Sequence, residues 1–179
     1  QYFLRATSES WLGCETFLEL NFNELVLPDR GPAHTELLDL PPVPRQALYP
    51  PENPELGRKE FFDLYEGKFE FFNKVQTQAF NTLFHSESNV LLGAPTGSGK
   101  TISAELAMMA AFRDHPGGKI IYIAPLKALV RERIEDWKGK LCKVLNKKLV
   151  ELTGDYTPDI RALQGADIIV CTPEKWDGI

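Results

Sequence analysis

Two kinds of hydrophobic pattern divide the chain. In residues 1–27 apolar and polar side chains alternate, as in "YFLRAT" and "TFLELNFNELVL", which predicts two antiparallel strands joined by a turn near Leu12 and Gly13. Two strands bury too little apolar surface to fold alone. We therefore expect the chain to begin inside a domain of a longer protein, with the partner strands outside this sequence.

Residues 28–59 have the composition of a connector. Eight of the thirteen prolines lie between Pro28 and Pro54, many of them in the run "LPPVPRQALYPPENP". Such a run favours extended polyproline conformation. Four apolar residues of this segment could still hold it against a surface: Leu37, Leu38, Leu40 and Val43.

From residue 60 to residue 179 helix and strand patterns alternate. Helical spacing marks "VQTQAFNTLFH" and "TISAELAMMAAF", and short apolar runs mark strands at "NVLLGAP", "KIIYIAP", "KLVELT" and "ADIIVCTP". A short helix can start at Pro158. This alternation predicts an α/β fold with a parallel sheet and helices on both faces.

A long helix is predicted between about Leu126 and Leu145. Helical spacing places six residues on one apolar face: Leu126, Val130, Ile134, Trp137, Leu141 and Val144. Trp137 is therefore expected in the core and not as a platform for base stacking.

Charge is distributed unevenly along the chain. The net charge is −5, yet residues 113–148 carry ten Lys or Arg against four Asp or Glu, so this segment has a charge of +6 and the remainder −11. A basic segment in an acidic protein is either a surface that faces phosphates or, more commonly, a solvated helix face.

Composition indicates a soluble intracellular protein without a membrane span. Hydrophobic residues make up 43% and charged residues 25%. No apolar run approaches the roughly 18 residues that a span requires. The cysteines Cys14, Cys142 and Cys171 have neither metal-ligand spacing nor an even count, which favours a reducing compartment.

The stretch "APTGSGKT" lies between a predicted strand and a predicted helix. In that setting successive backbone N–H groups bind phosphate oxygens, with the positive end of the helix dipole behind them. Gly97 and Gly99 permit the tight turn, Lys100 reaches the β- and γ-phosphates, and the Thr101 hydroxyl reaches Mg²⁺. Ala94 stands where the general pattern has glycine, which is tolerable if its φ is negative.

The loop supplies most of the candidate nucleotide-binding residues. Lys100 and Thr101 are the candidate catalytic residues. The alternative interpretation of "APTGSGKT" is a glycine-rich turn with a surface lysine and no bound phosphate. That interpretation would not require the strand and helix predicted on either side of the loop. The candidate phosphate-binding residues are Ala94, Pro95, Thr96, Gly97, Ser98, Gly99, Lys100 and Thr101.

Other motifs occur around the loop in the order found in superfamily-two helicases. They are "FNKVQTQ" before the loop, then "APLKAL", "TGD" and "TPEKWD" at successive strand ends, and they cover most of residues 70–179. With "SWLG" and "HTELLDL" near the start, the chain resembles the superkiller-like branch, which includes helicases with two tandem cassettes.

The resemblance implies both an architecture and an activity. Residues 60–179 would be the first part of a RecA-like P-loop lobe, preceded by the last strands of a β-sandwich (1–27) and a proline-rich linker (28–59). The parent protein would be an ATP-dependent 3'-5' helicase that uses ATP and Mg²⁺. It would act on single-stranded RNA or DNA as a subunit of a larger complex, in the nucleus and cytoplasm.

By the same resemblance Phe72 and Gln76 are candidates for holding the adenine. The family often has Pro where Lys74 stands, so the local turn differs from the usual pattern. A buried aromatic residue and a helix N-terminal cap remain equally open roles for the two.

Six residues match positions that line the single-strand path in this family. All lie at or just beyond the carboxyl ends of predicted strands, where open parallel sheets bind their ligands. For Thr172, capping of a helix that starts at Pro173 is the preferred role. The six are Pro125, Lys127, Thr153, Gly154, Thr172 and Glu174.

Two parts needed for hydrolysis have no counterpart in the sequence. No apolar strand ends in Asp-Glu, and there is no second lobe to supply an arginine; the resemblance places both after "TPEKWD". We expect this chain to cradle phosphates without hydrolysing them. A non-catalytic nucleotide-binding scaffold and a spliceosomal tandem-cassette helicase remain alternatives, whereas a GTPase would need a guanine-reading motif that is missing.

Overall fold

The computed structural model describes residues 2–21, 37–154 and 158–178. These residues fall into two compact units, one up to residue 21 and one from residue 37. The end of the second strand pattern, at residues 22–27, and Asp155 of the "TGD" motif lie outside the described residues.

The first unit is a two-stranded antiparallel ribbon, which confirms the predicted hairpin. Gly13 has a φ of +76° in the connecting turn, a conformation that glycine adopts without strain. Large apolar side chains remain exposed, with Phe3 at 62% and Phe17 at 60%. The ribbon therefore leaves its apolar surface uncovered. Its strands are β1 (Tyr2–Thr7) and β2 (Glu15–Leu20).

The second unit is a mixed α/β lobe, and the predicted parallel sheet is confirmed. Its strands are β3 (Ile120–Ile123), β4 (Leu149–Leu152) and β5 (Ile168–Cys171). These three strands lie in the order β3, β5, β4. The helices are α1 (Lys59–Asp63), α2 (Lys74–His85), α3 (Lys100–Asp114), α4 (Lys127–Trp137), α5 (Lys143–Leu145), α6 (Ile160–Gln164) and α7 (Pro173–Asp177).

Neighbouring side chains of β5 face two different cores. Ile168 and Val170 belong to a large core that contains the buried residues of α2, α3 and α4. Ile169 and Cys171 belong to a smaller core, against which Leu163 of α6 packs. Because successive side chains of a strand point to opposite faces, helices cover both faces of the sheet, as predicted.

The long helix predicted for residues 126–145 is present, with an interruption. Its residues Lys138–Cys142 form a π-helical turn. Such a turn accommodates an extra residue and shifts the helical phase. The prediction was wrong for Val144, which is 40% exposed beyond the turn, and for Leu126, which precedes α4 and is 61% exposed. Trp137 is fully buried, as predicted.

The buried strand predicted at "NVLLGAP" is absent. Residues 86–95 form no regular element, and Leu91 is fully exposed. Within the described residues no strand pairs with this segment, so it gains none of the ladder hydrogen bonds that would hold it extended in a sheet. The phosphate loop is therefore preceded by an irregular segment.

The described part of the predicted linker is folded onto the lobe. Val43 accepts a hydrogen bond from the Phe72 N–H at 2.9 Å, and Leu48 is completely buried. Leu37, Leu38 and Leu40 are exposed, so Val43 is the member of the predicted set that packs against the core. Two short 3₁₀ turns, Arg45–Leu48 and Pro54–Leu56, replace the extended conformation expected for a proline-rich run.

A buried carboxylate connects three helical segments. Glu105 on α3 is 1% exposed and accepts hydrogen bonds from the Trp137 indole at 2.9 Å, from Lys140 at 2.8 and 3.1 Å, and from the Tyr65 hydroxyl. Burial and the neighbouring Glu105 charge raise the pKa of Tyr65 well above its ordinary value, which keeps the phenol protonated as a donor. The π-helical turn contains Lys140, so the interruption of the long helix coincides with this contact.

Candidate nucleotide and nucleic-acid sites

The phosphate loop has the backbone geometry that its glycines predict. Gly97 and Gly99 have φ values of +82° and +86°, in the left-handed region that favours glycine. Ala94 does not have a positive φ, so alanine is compatible with that position. α3 starts at Lys100 and runs for fifteen residues, and the positive end of its dipole lies at the loop.

Lys100 lies across its own loop. Its Nζ donates hydrogen bonds to the carbonyl oxygens of Ala94 at 2.6 Å and Pro95 at 2.7 Å, and the residue is exposed. Both partners are neutral, so an anion could compete for the ammonium without breaking an ion pair. Thr101 follows Lys100 at the first turn of α3 and is partly buried.

Ser98 has a buried hydroxyl inside the loop. Within the described part of the chain, the Ser98 hydroxyl and that of Ser103 are buried and have no hydrogen-bond partner. Buried polar groups are usually satisfied, and each exception calls for an explanation. At Ser98 the exception falls within the predicted phosphate-binding residues.

Phe72 and Gln76 occupy structural positions. Phe72 is 2% exposed, with its ring centroid 5.0 Å from that of Phe69 and 5.2 Å from that of Phe80. Gln76 completes a capping box at the start of α2: its side chain accepts from the Asn73 N–H, and Asn73 accepts from the Gln76 N–H. The core and capping roles that the sequence left open are both present.

Asn73 contacts the phosphate loop and was not among the predicted site residues. Its carboxamide Nδ2 donates to the Ser98 carbonyl at 2.9 Å, and Gln76 Nε2 donates to the Gly99 carbonyl at 3.3 Å. The helix start at α2 thus contacts two consecutive carbonyls of the phosphate loop. The pattern Asn-x-x-Gln in "FNKVQ" signals a capping box, but nothing in that pattern indicates a contact with a loop 25 residues further on.

Five of the six residues proposed for the single-strand path line one cleft of about 410 Å³. It lies at the carboxyl ends of β3, β4 and β5, where ligands bind in open parallel sheets. Leu126 and Lys175 also line it and were not anticipated. The five are Pro125, Lys127, Gly154, Thr172 and Glu174.

Thr153 is the member of the set that does not line the cleft. It is 1% exposed, and its hydroxyl donates to Glu151 at 2.9 Å. Thr172 occupies the N-cap position of α7, but its side chain makes no capping hydrogen bond. The preferred capping role for Thr172 was therefore wrong.

Lys127 and Gly154 lie close together across the cleft. A Cβ built on Gly154 would be 3.3 Å from Lys127 Nζ and 3.4 Å from its Cε. Glycine therefore leaves room for the lysine to lie against the end of β4. This contact places a cation among the residues that line the cleft.

Neither a metal-ligand cluster nor a membrane-spanning helix is found in the described residues. In residues 2–21, 37–154 and 158–178 no group of three or more His, Cys, Asp or Glu side chains is arranged to hold a metal ion. None of the helices in those ranges is both long enough and apolar enough to cross a membrane.

The geometry of loop and cleft agrees with the comparison to known families. The DEAD/DEAH box helicase family matches residues 73–179, more than half of the chain. The chain belongs to the DEAD/DEAH box helicase family. Its lobe resembles the crystal structure of the DUF1998 helicase MrfA bound to DNA and AMPPNP, with a TM-score of 0.57 at 22% identity over 68% of this chain and 17% of that one. The lobe has a RecA-like fold.

Among individual proteins, the chain is similar to activating signal cointegrator 1 complex subunit 3 of Gallus gallus. The two are 58% identical over all 179 residues, which span 8% of that protein. The U5 small nuclear ribonucleoprotein 200 kDa helicase of Mus musculus is 47% identical over 177 residues, 99% of this chain and 8% of that protein. The spliceosomal alternative is the less similar of these two.

Proposed function

We propose that this chain forms the nucleotide-cradling part of the first RecA-like lobe of a cassette in an ATP-dependent 3'-5' helicase. The observation that carries the proposal is the phosphate loop, with two positive-φ glycines, a lysine that donates to the neutral Ala94 and Pro95 carbonyls and a long helix starting behind it. Residues 1–27 would close a β-sandwich of the preceding cassette, residues 28–59 would link the cassettes, and residues 60–179 would open the lobe.

The proposed ligand is ATP with Mg²⁺. Lys100 would leave the Ala94 and Pro95 carbonyls for the β- and γ-phosphates, and the N–H groups at the start of α3 would bind phosphate oxygens. The residues fit a Mg²⁺ held by the Thr101 hydroxyl and the phosphates, since Mg²⁺ at such sites keeps few protein ligands. By the resemblance, Phe72 and Gln76 would support the adenine end, Phe72 from just before α2 and Gln76 from its first turn.

The proposed second ligand is single-stranded RNA or DNA in the cleft at the carboxyl ends of the sheet. Lys127, lying against Gly154, would neutralise a phosphate there. The similar proteins are named as a complex subunit and as a ribonucleoprotein helicase. We therefore propose that the parent protein works within a larger complex in the nucleus and cytoplasm. A scaffold cassette that binds nucleotide without hydrolysing it remains the competing function.

Nucleotide binding is tested by thermal unfolding. ADP or ATP with Mg²⁺ is expected to raise the melting temperature of the 179-residue chain, because a ligand at 100 times its Kd adds about 2.7 kcal/mol to the stability of the folded state. Lys100→Ala should abolish the shift, whereas Lys143→Ala, at an exposed position on α5, should retain it. A cooperatively folded wild-type chain with no shift at millimolar nucleotide would contradict the proposal.

Nucleic-acid binding is tested by fluorescence anisotropy with a labelled single-stranded oligonucleotide. Binding should fall with salt at a log–log slope of about −0.7 per neutralised phosphate. Lys127→Glu is expected to weaken it about thirtyfold, because charge reversal replaces an attraction of about 1 kcal/mol by a similar repulsion, a change of about 2 kcal/mol.

The matched control for that variant is Lys143→Glu, which makes the same charge change at an exposed position on α5. Equal losses from Lys127→Glu and Lys143→Glu would show that the basic segment acts through its total charge and that the cleft has no special role.

A further inference from the structure

We infer that Asn73 is a positioning residue of the phosphate loop, one that sets the orientation of two loop peptides before nucleotide binds. The inference rests on the proposed nucleotide-binding function and concerns how the cradle is held. It goes beyond the adenine role considered for Gln76, because Asn73 contacts the loop backbone.

The orientation of the Asn73 carboxamide is determined by its two partners. Its Oδ1 accepts the Gln76 N–H at 2.9 Å, and that donor requires an oxygen. The amino group of the same carboxamide is therefore on the other side, where Nδ2 donates to the Ser98 carbonyl at 2.9 Å. One side chain both caps α2 and holds the loop.

The carbonyl contacts determine where the adjoining N–H groups point. The described chain has no cis peptide bond, and a trans peptide directs its C=O and its N–H to opposite sides. Holding the Ser98 carbonyl on Asn73 turns the Gly99 N–H away from α2. Gln76 does the same for the Lys100 N–H, since its Nε2 donates to the Gly99 carbonyl. These are two of the backbone donors that the loop would offer to phosphate.

The close approach also explains why residue 99 is glycine. A Cβ built on Gly99 would lie 2.2 Å from Gln76 Nε2 and 3.1 Å from Asn73 Nδ2. Among the described residues, a Cβ on Gly97 would meet nothing within 4 Å, so the positive φ is what favours glycine at that position. The two carboxamides thus occupy the space that a side chain at position 99 would need.

The test separates the loop contact from the cap. Asn73→Asp and Asn73→Ser both keep an N-cap acceptor of similar quality and lose the carboxamide donor. Asp introduces a charge and Ser does not, so an effect shared by the two variants reports the lost donor. Asn81→Ala, at an exposed position on the same helix, is the matched control.

Three readouts are compared across these variants and the wild-type chain. Calorimetric titration with ADP and Mg²⁺ should show Kd raised about threefold to tenfold by Asn73→Asp and Asn73→Ser, the effect of losing one hydrogen bond that orders the site. Hydrogen exchange of the nucleotide-free protein should be faster in peptides that cover residues 96–102. The melting temperature without nucleotide should stay close to wild type, and Asn81→Ala should change none of the three.

Unchanged Kd and unchanged exchange in both Asn73 variants would overturn the inference. A fall in melting temperature with no change in hydrogen exchange at residues 96–102 would also overturn the inference. That result would show that Asn73 acts only as the N-cap of α2. If the wild-type chain bound no ADP, the proposed function would fail, and the exchange rates would still decide whether Asn73 orders the loop.

Discussion

Lys100→Ala is expected to abolish the nucleic-acid-stimulated ATPase of a protein that extends from this chain through the second lobe of the cassette. The change removes the ammonium that would stabilise charge on the transferring phosphoryl group. Loss of one such preorganised group costs about a hundredfold to a thousandfold in rate. Steady-state phosphate release with and without single-stranded RNA measures the effect.

The 179-residue chain alone is expected to show no ATPase above background, with or without RNA or single-stranded DNA. It lacks an Asp-Glu pair at a strand end and the arginine of a second lobe, and an arginine finger alone contributes about 10³ to 10⁵ in rate. Turnover by the short chain that depends on Lys100 would contradict this prediction. Glu174, at the cleft, would then be the carboxylate to test, since Glu105 is already bonded to Lys140.

An extended protein that binds ATP and never hydrolyses it would favour the scaffold alternative. An active helicase cassette and a non-catalytic scaffold can be distinguished because nucleotide binding and turnover are measured separately. Suppose that the wild-type protein binds ATP without hydrolysing it and that Lys100→Ala loses this binding. The loop would then bind nucleotide for the stability of the fold and not for catalysis.

Local sequence patterns predicted most of the lobe because they report on contacts made within each element. The spacing of Phe80 and Phe84 identifies the buried face of α2, and the apolar run of β5 identifies a strand with neighbours on both sides. The glycines of the phosphate loop were predictable for the same reason, since a positive φ at Gly97 is a local requirement.

The features that sequence missed depend on partners elsewhere in the chain. Leu91 has the sequence environment of a strand, but no described strand pairs with it. The π-helical turn cannot be read from helical spacing, because it accompanies the contact between Lys140 and the distant Glu105. Asn73 reads as a cap, and its second role appears only when the fold brings Ser98 within 2.9 Å.

Removal of the buried carboxylate is expected to have the largest effect on stability. Glu105→Leu should lower the free energy of unfolding by about 3 to 5 kcal/mol, because it leaves a poorly solvated ammonium without its counter-charge. Glu105 is 1% exposed and the Lys140 side chain 15% exposed, so solvent can screen little of the lost interaction. Urea unfolding followed by far-UV circular dichroism measures the loss.

A double-mutant cycle distinguishes loss of the charge pair from loss of packing. Lys140→Met alone should also destabilise, because Glu105 would keep only its neutral donors, Tyr65 and Trp137. The combined Glu105→Leu and Lys140→Met protein should recover most of the stability, since apolar replacement of a whole buried pair is often neutral or stabilising. If the two losses simply added, the coupling energy between Glu105 and Lys140 would be zero. The cost of Glu105→Leu would then have to come from the hydrogen bonds lost by Tyr65 and Trp137.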